Sequence, residues 1–180
     1  IISNWKKLQP ITAQLMEFFN ENIGVYPYNQ YSVVQGGDGG MEYSMLTLIN
    51  SGKEFVPLVS VTSHELAHAW FQGVLATNEM KHEWMDEGSA SYFGDLAESF
   101  VLGSDFYNSI YSSYFRYISL ANSGQEMPQA TNANRYKYNR AYESTAYSKG
   151  FVFLSQLRYI IGEEAFKKTI KNYYNTYKFT

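Results

Sequence analysis

Apolar side chains recur through the first twenty residues at Trp5, Leu8, Ile11, Leu15, Met16, Phe18 and Phe19. That mixed three- and four-residue spacing predicts an amphipathic helix over about 5–22, with Pro10 tolerable only near its start. Gly24 and Pro27 break the pattern. Residues 31–35 then read as a strand, and 41–50 alternate loosely as a second one, closed by the turn Ser51-Gly52-Lys53. From about 57 to 77 the chain is apolar nearly all round a helical wheel, which belongs at the centre of a domain. Asp86 reads as the N-cap of a helix continuing to about Leu102. Gly103-Ser104-Asp105 restarts a helix that ends near Leu120. Residues 121–139 are polar and read as a surface loop. A helix over 141–161, a stop at Gly162 and a last amphipathic helix to Tyr173 complete the chain. The pattern predicts an α+β fold, mostly helical, with a small sheet on the N-terminal side.

Composition narrows the class. The 180 residues are 45% hydrophobic and 18% aromatic, enough for one packed domain. The net charge of −3 includes no basic tract, so neither nucleic acid nor an anionic membrane surface is indicated as a partner. There are no cysteines, which removes disulfides and thiolate metal ligands. The apolar runs are too short for a membrane span. The chain opens Ile1-Ile2-Ser3 without an initiator Met or a signal-peptide layout and reads as a piece of a longer protein.

Chemistry concentrates in His64-Glu65-Leu66-Ala67-His68. Residues four apart share a helix face, so both imidazoles can reach one zinc ion while Glu65 stays free to handle a proton. With three His and thirteen Glu available, this pattern arises by chance in about one such chain in 300. A catalytic zinc takes a third protein ligand, and Glu87 follows His68 with eighteen residues between them. The glycine-rich Gly36-Gly37-Asp38-Gly39-Gly40 could cradle phosphate, but no Lys-Ser/Thr follows, so that reading is weak. His82 lacks a helical partner and reads as a surface histidine.

HExxH with a downstream Glu at that separation is the gluzincin pattern, and four motifs together resemble the aminopeptidase N family of zinc peptidases. HELAHxWF is present as His64 to Phe71. W-x-N-E-G-x-A-x-Y-F is matched by Trp84-Met85-Asp86-Glu87-Gly88-Ser89-Ala90-Ser91-Tyr92-Phe93. G-x-M-E-N resembles Gly39-Gly40-Met41-Glu42-Tyr43, and Y-x-K-G is Tyr147-Ser148-Lys149-Gly150.

The resemblance implies a thermolysin-like catalytic domain over residues 1–180, with the family's β-rich and helical flanking domains lying outside it. It implies one zinc ion on His64, His68 and Glu87, with Glu65 as general base toward a zinc-activated water and Tyr147 stabilising the oxyanion. Glu42 would pair with the free N-terminus of a peptide substrate, beside the backbone of Gly39, Gly40 and Met41. Tyr142 is a further candidate for the pocket. The alternatives are a zinc endopeptidase or other zinc hydrolase, or a zinc- and peptide-binding piece that is inactive without its neighbours. Departures are Tyr43 for the motif's Asn, Gln72-Gly73 for a usual Gly-Asn, and Gly94 where the family often has an acid. That last change leaves Asp95 and Glu98 as the nearest supports for the ligands. The compartment stays open, with a lean toward an extracytoplasmic or periplasmic setting in a bacterium over the cytoplasm.

Overall fold

A computed structural model describes residues 2–37 and 39–180; Ile1 and Asp38, the latter in the glycine-rich loop, lie outside the described residues. Helix α1 (Ile2–Asn22) buries Leu8, Leu15 and Phe19 on one face and runs through Pro10 instead of starting near it. Lys6, whose carbonyl loses its helical partner to the proline ring, is exposed like Pro10 itself. Water can take that carbonyl, so the break in the bonding ladder is tolerated.

Three strands follow: β1 (Ser32–Gly36), β2 (Gly40–Tyr43) and β3 (Leu46–Asn50). Their order is β1-β3-β2, with β3 parallel to β1 and antiparallel to β2. The single strand expected over 41–50 is therefore two. The chain folds back at Ser44-Met45, where Met45 takes a left-handed φ of 61° without the Gly or Asn that usually announces such a turn.

Helix α2 (Phe55–Phe71) is the central element, with eleven buried residues from Leu58 to Phe71. Trp70 packs on Phe19 of α1 at 5.1 Å between ring centroids and donates to the Gly24 carbonyl. The helix stops at Phe71, short of the expected Thr77. The amides of Gln72 and Gly73 both turn back to the His68 carbonyl, and Ala76 takes a φ of 49°. Val74 and Leu75 stay buried beyond that point, so the apolar spacing outlasts the helix.

Helix α3 (Glu79–Leu102) lies against α2. It begins well before Asp86, which is not an N-cap, and it bends at His82 (φ −139°, ψ 44°). The contact is close at Gly94, where a Cβ would sit 3.0 Å from His64 Cα, and Ser63 Oγ donates to the Gly94 carbonyl at 2.7 Å. Helix α4 (Phe106–Asn122) restarts after Gly103-Ser104-Asp105 as expected, and Asp105 caps it by accepting from the Tyr107 amide. The polar stretch after it is loop except for a single tight turn at Ala133–Arg135.

The long helix expected over 141–161 is divided into α5 (Asn139–Glu143), a wide π-type segment at Ser144–Lys149, and α6 (Gly150–Ile161). Gly162, at φ 83°, ends α6, and α7 (Glu163–Tyr177) closes the chain. Phe93 and Tyr92 of α3, Phe151 of α6 and Phe166 of α7 join in one aromatic core beside α2. The α+β, mostly helical architecture with a small N-terminal sheet is as the pattern predicts.

Candidate metal centre and active site

Helical spacing on α2 presents His64 and His68 side by side, and the packing of α3 against that face adds Glu87. The Nε2 atoms of the two imidazoles lie 3.2 Å apart, and Glu87 Oε2 stands 3.2 Å from His64 Nε2 and 3.4 Å from His68 Nε2. A tetrahedral zinc with ligand distances of about 2.0–2.1 Å has donor–donor edges of about 3.3–3.4 Å. The three donors thus form one face of such a tetrahedron, and the residues present fit the ion.

The field at that face favours positive charge. Burial alone would raise Glu87, but the two imidazoles outweigh it and hold the carboxyl below the usual range. Burial would lower His68, yet Asp86 and Glu87 raise it well above the ordinary value. Asp86 Oδ1 meets His68 Nδ1 at 2.7 Å, and both side chains are 1% exposed. This bond fixes which ring nitrogen of His68 is left for a metal.

Asp86 is the site residue that the sequence reading missed. An acid directly before Glu87 was the available signal, but it resembled a helix cap. The supports expected in its place do not serve: Asp95 lines a cleft beside His64 without a bond to it, and Glu98 of α3 pairs with Ser60 of α2 instead.

Glu65 lies beside the two imidazoles, 6% exposed, with Oε2 lacking a partner among the described residues. Burial, partly offset by the imidazoles, pushes its carboxyl up to about 7. Gly40 of β2 closes over it so tightly that a Cβ at that position would fall 2.2 Å from Glu65 Oε1. The motif glycine therefore makes room for the carboxylate of the HExxH motif.

Side chains alternate along β2, so Gly40 and Glu42 face α2 while Met41 and Tyr43 are exposed. The Glu42 carboxylate lies within 4.8 Å of donor atoms of His68 and Asp86. Gly39 is exposed at the start of the strand. As the outer member of the three-stranded sheet, β2 leaves one edge of its backbone unpaired within it.

Tyr147 comes from the π-type segment. Its hydroxyl donates to Glu87 Oε1 at 2.7 Å, and its ring stacks on His64 at 5.9 Å. Burial first, then the Glu87 charge, pushes the phenol well above its ordinary range, so it stays a hydrogen-bond donor. Two glycines hold it there: a Cβ on Gly88 would lie 2.6 Å from Gly150 Cα. The residue after Glu87 and the residue closing Y-x-K-G thus touch backbone to backbone, locking the Tyr147 segment onto the Glu87 helix. Tyr142 sits edge-on to Tyr136 at 5.6 Å. Its phenol is raised by burial and by Glu87, and no hydrogen bond links it to the three donors among the described residues. His82 is exposed at the bend of α3 and takes no part.

The sequence matches the family model "Peptidase family M1 domain" over residues 9–180. Leucine aminopeptidase 2 of Neosartorya fischeri is 28% identical over 188 residues, covering 93% of this chain and 30% of that protein. Aminopeptidase N of Rattus norvegicus is 25% identical over 193 residues, covering 94% of this chain and 20% of that protein. The crystal structure of an M1 zinc metallopeptidase from Deinococcus radiodurans superposes with a TM-score of 0.73 at 25% identity, over 93% of this chain and 36% of that one. The chain thus spans less than a third of the length of these two relatives. No helix among the described residues is long and apolar enough to cross a membrane.

Proposed function

The chain belongs to peptidase family M1, and on that footing we propose that residues 1–180 form the thermolysin-like catalytic domain of a zinc aminopeptidase. Its substrates are peptides with a free N-terminus, and one zinc ion is held by His64, His68 and Glu87. The observation that carries this reading is the meeting of two groups of side chains. Three donors are spaced for one face of a zinc tetrahedron, and the Glu42 carboxylate lies beside them, within 4.8 Å of His68 and Asp86 donor atoms.

Zinc bound there supplies Lewis acidity, polarising the scissile carbonyl and making water nucleophilic near neutral pH. Glu42 pairs its carboxylate with the substrate ammonium, which fixes the first residue and places the first peptide bond at the donors. The unpaired edge of β2 at Gly39, Gly40 and Met41 offers main-chain hydrogen bonds to an extended peptide. Glu65 takes the proton of the attacking water on a carboxylate oxygen and returns it to the leaving amine nitrogen. Burial raises this carboxyl above its ordinary range, which strengthens it as a base toward that proton. Tyr147 turns its hydroxyl from Glu87 to the developing oxyanion. Tyr142 flanks the same space.

Metal analysis with a Glu65→Gln variant tests the reading. One zinc per chain in both proteins, with hydrolysis lost only in the variant, is the expected result. Absence of zinc together with no change in stability on adding it would sink the proposal.

A further inference from the structure

A cleft of about 670 Å³ shares His64 and Tyr147 with the site but includes none of Gly40, Glu42 or Glu65 in its walls. The stacked imidazole and phenol therefore form a partition between this cleft and those three residues. If Glu42 holds the substrate amine, the residue to be released lies on the Glu42 side of that partition. The residue that follows lies in the cleft.

The cleft walls are unusual for a side-chain pocket, which is ordinarily mostly apolar. Five serines contribute, Ser60 of α2 and Ser91 of α3 among them, and Asp95 and Glu143 supply two carboxylates against the one guanidinium of Arg116. Arg116 is exposed and forms no ion pair among the described residues. Asp95 is half-buried, and burial raises its carboxyl. An apolar side chain placed here would cover hydroxyls and charges without pairing them, which is costly. An acidic side chain would meet two carboxylates against one guanidinium, and a basic one, which can only donate, would leave Arg116 without an acceptor. A carboxamide carries both a carbonyl oxygen and two N–H donors.

Resting on the aminopeptidase reading, we propose that this cleft selects an uncharged hydrogen-bonding side chain at the second residue of the substrate, a carboxamide above all. Arg116 donates to the amide oxygen, and Asp95 accepts from the amide nitrogen. The serine hydroxyls pair whatever remains.

The test uses the zinc-loaded Glu65→Gln protein and isothermal titration with the tripeptides Leu-Gln-Gly, Leu-Leu-Gly, Leu-Glu-Gly and Leu-Lys-Gly. Leu-Gln-Gly is expected to bind about tenfold or more tighter than Leu-Leu-Gly, since a polar pocket strongly rejects a partner that leaves it unpaired. The same order is expected in kcat/KM for the unmodified enzyme. Adding Arg116→Met or the isosteric Asp95→Asn is expected to bring the Gln-to-Leu binding ratio to within about threefold of unity. Equal or tighter binding of Leu-Leu-Gly, or an unchanged ratio in both variants, overturns the pocket assignment. Cleavage of all four peptides without discrimination overturns the pocket alone. Release of no N-terminal residue from any of them overturns the aminopeptidase reading as well.

Discussion

His68 Nδ1 and Asp86 Oδ1 are joined by a 2.7 Å hydrogen bond between two side chains that are each 1% exposed. The contact orients the ring from outside the donor set, so its loss acts on the metal before it acts on the chemistry. Asp86→Ala is expected to weaken zinc binding by about 10–100-fold, read by competition against a chelator of known affinity. Asp86→Asn, which can still accept from the ring, is expected to lose less. Unchanged affinity in the alanine variant would show that His68 is oriented by other contacts.

Gly40 leaves no room for a side chain beside Glu65. The atom in the way is the mobile end of a carboxylate, so Gly40→Ala is expected to fold with little change in Tm. It displaces the Glu65 carboxylate by about an ångström, a shift that can cost about 100-fold in rate. Peptide hydrolysis at matched zinc content checks this, and near-normal turnover would argue against Glu65 acting where it now sits.

The Gly88–Gly150 contact is different, because there the obstacle is backbone. Gly88→Ala must push α3 and α6 apart. Overpacking of this kind is expected to cost about 3 kcal/mol, a Tm fall of about 6–12 °C, with loss of the Tyr147–Glu87 bond. Thermal denaturation checks the first outcome. A Tm within about 2 °C of the parent, which corresponds to less than about 1 kcal/mol, would refute it.

Glu83 is 1% exposed, and neither carboxylate oxygen has a partner among the described residues. Burial raises its carboxyl above the ordinary value. A group whose folded pKa is raised is stabilising while protonated, and that contribution is lost as pH rises through the folded value. Glu83→Gln is therefore expected to match the parent in acid and to become the more stable of the two toward pH 8. Tm measured against pH decides. A variant less stable at pH 8 would mean that the ionised carboxylate is held by a favourable partner.

The parts of the site that could be read from sequence are those encoded by spacing along one element. His64 and His68 share a face because they are four apart, and Glu87, Glu42 and Tyr147 were marked by the residues around them. What escaped depends on contacts between elements. Asp86 has the local signature of a cap, and only the position of α2 turns it toward His68. Ser144 to Lys149 carry no mark of a π-type turn, which lies directly before the Gly88–Gly150 crossing. Met45 reverses the chain without a turn residue, so two strands looked like one. Val74 and Leu75 extended α2 on paper because burial, not helicity, sets apolar spacing.

The central claim is that zinc and Glu42 together direct hydrolysis to free N-termini. It is tested most directly by giving the zinc-loaded protein one peptide in two forms, with a free and with an acetylated N-terminus, and measuring release of the first residue. The expected result is release from the free-amine form, abolished by chelation and restored by zinc, with the acetylated form at least about 100-fold slower, the loss of a charge-paired anchor. Comparable cleavage of both forms, or cleavage indifferent to zinc, would contradict it.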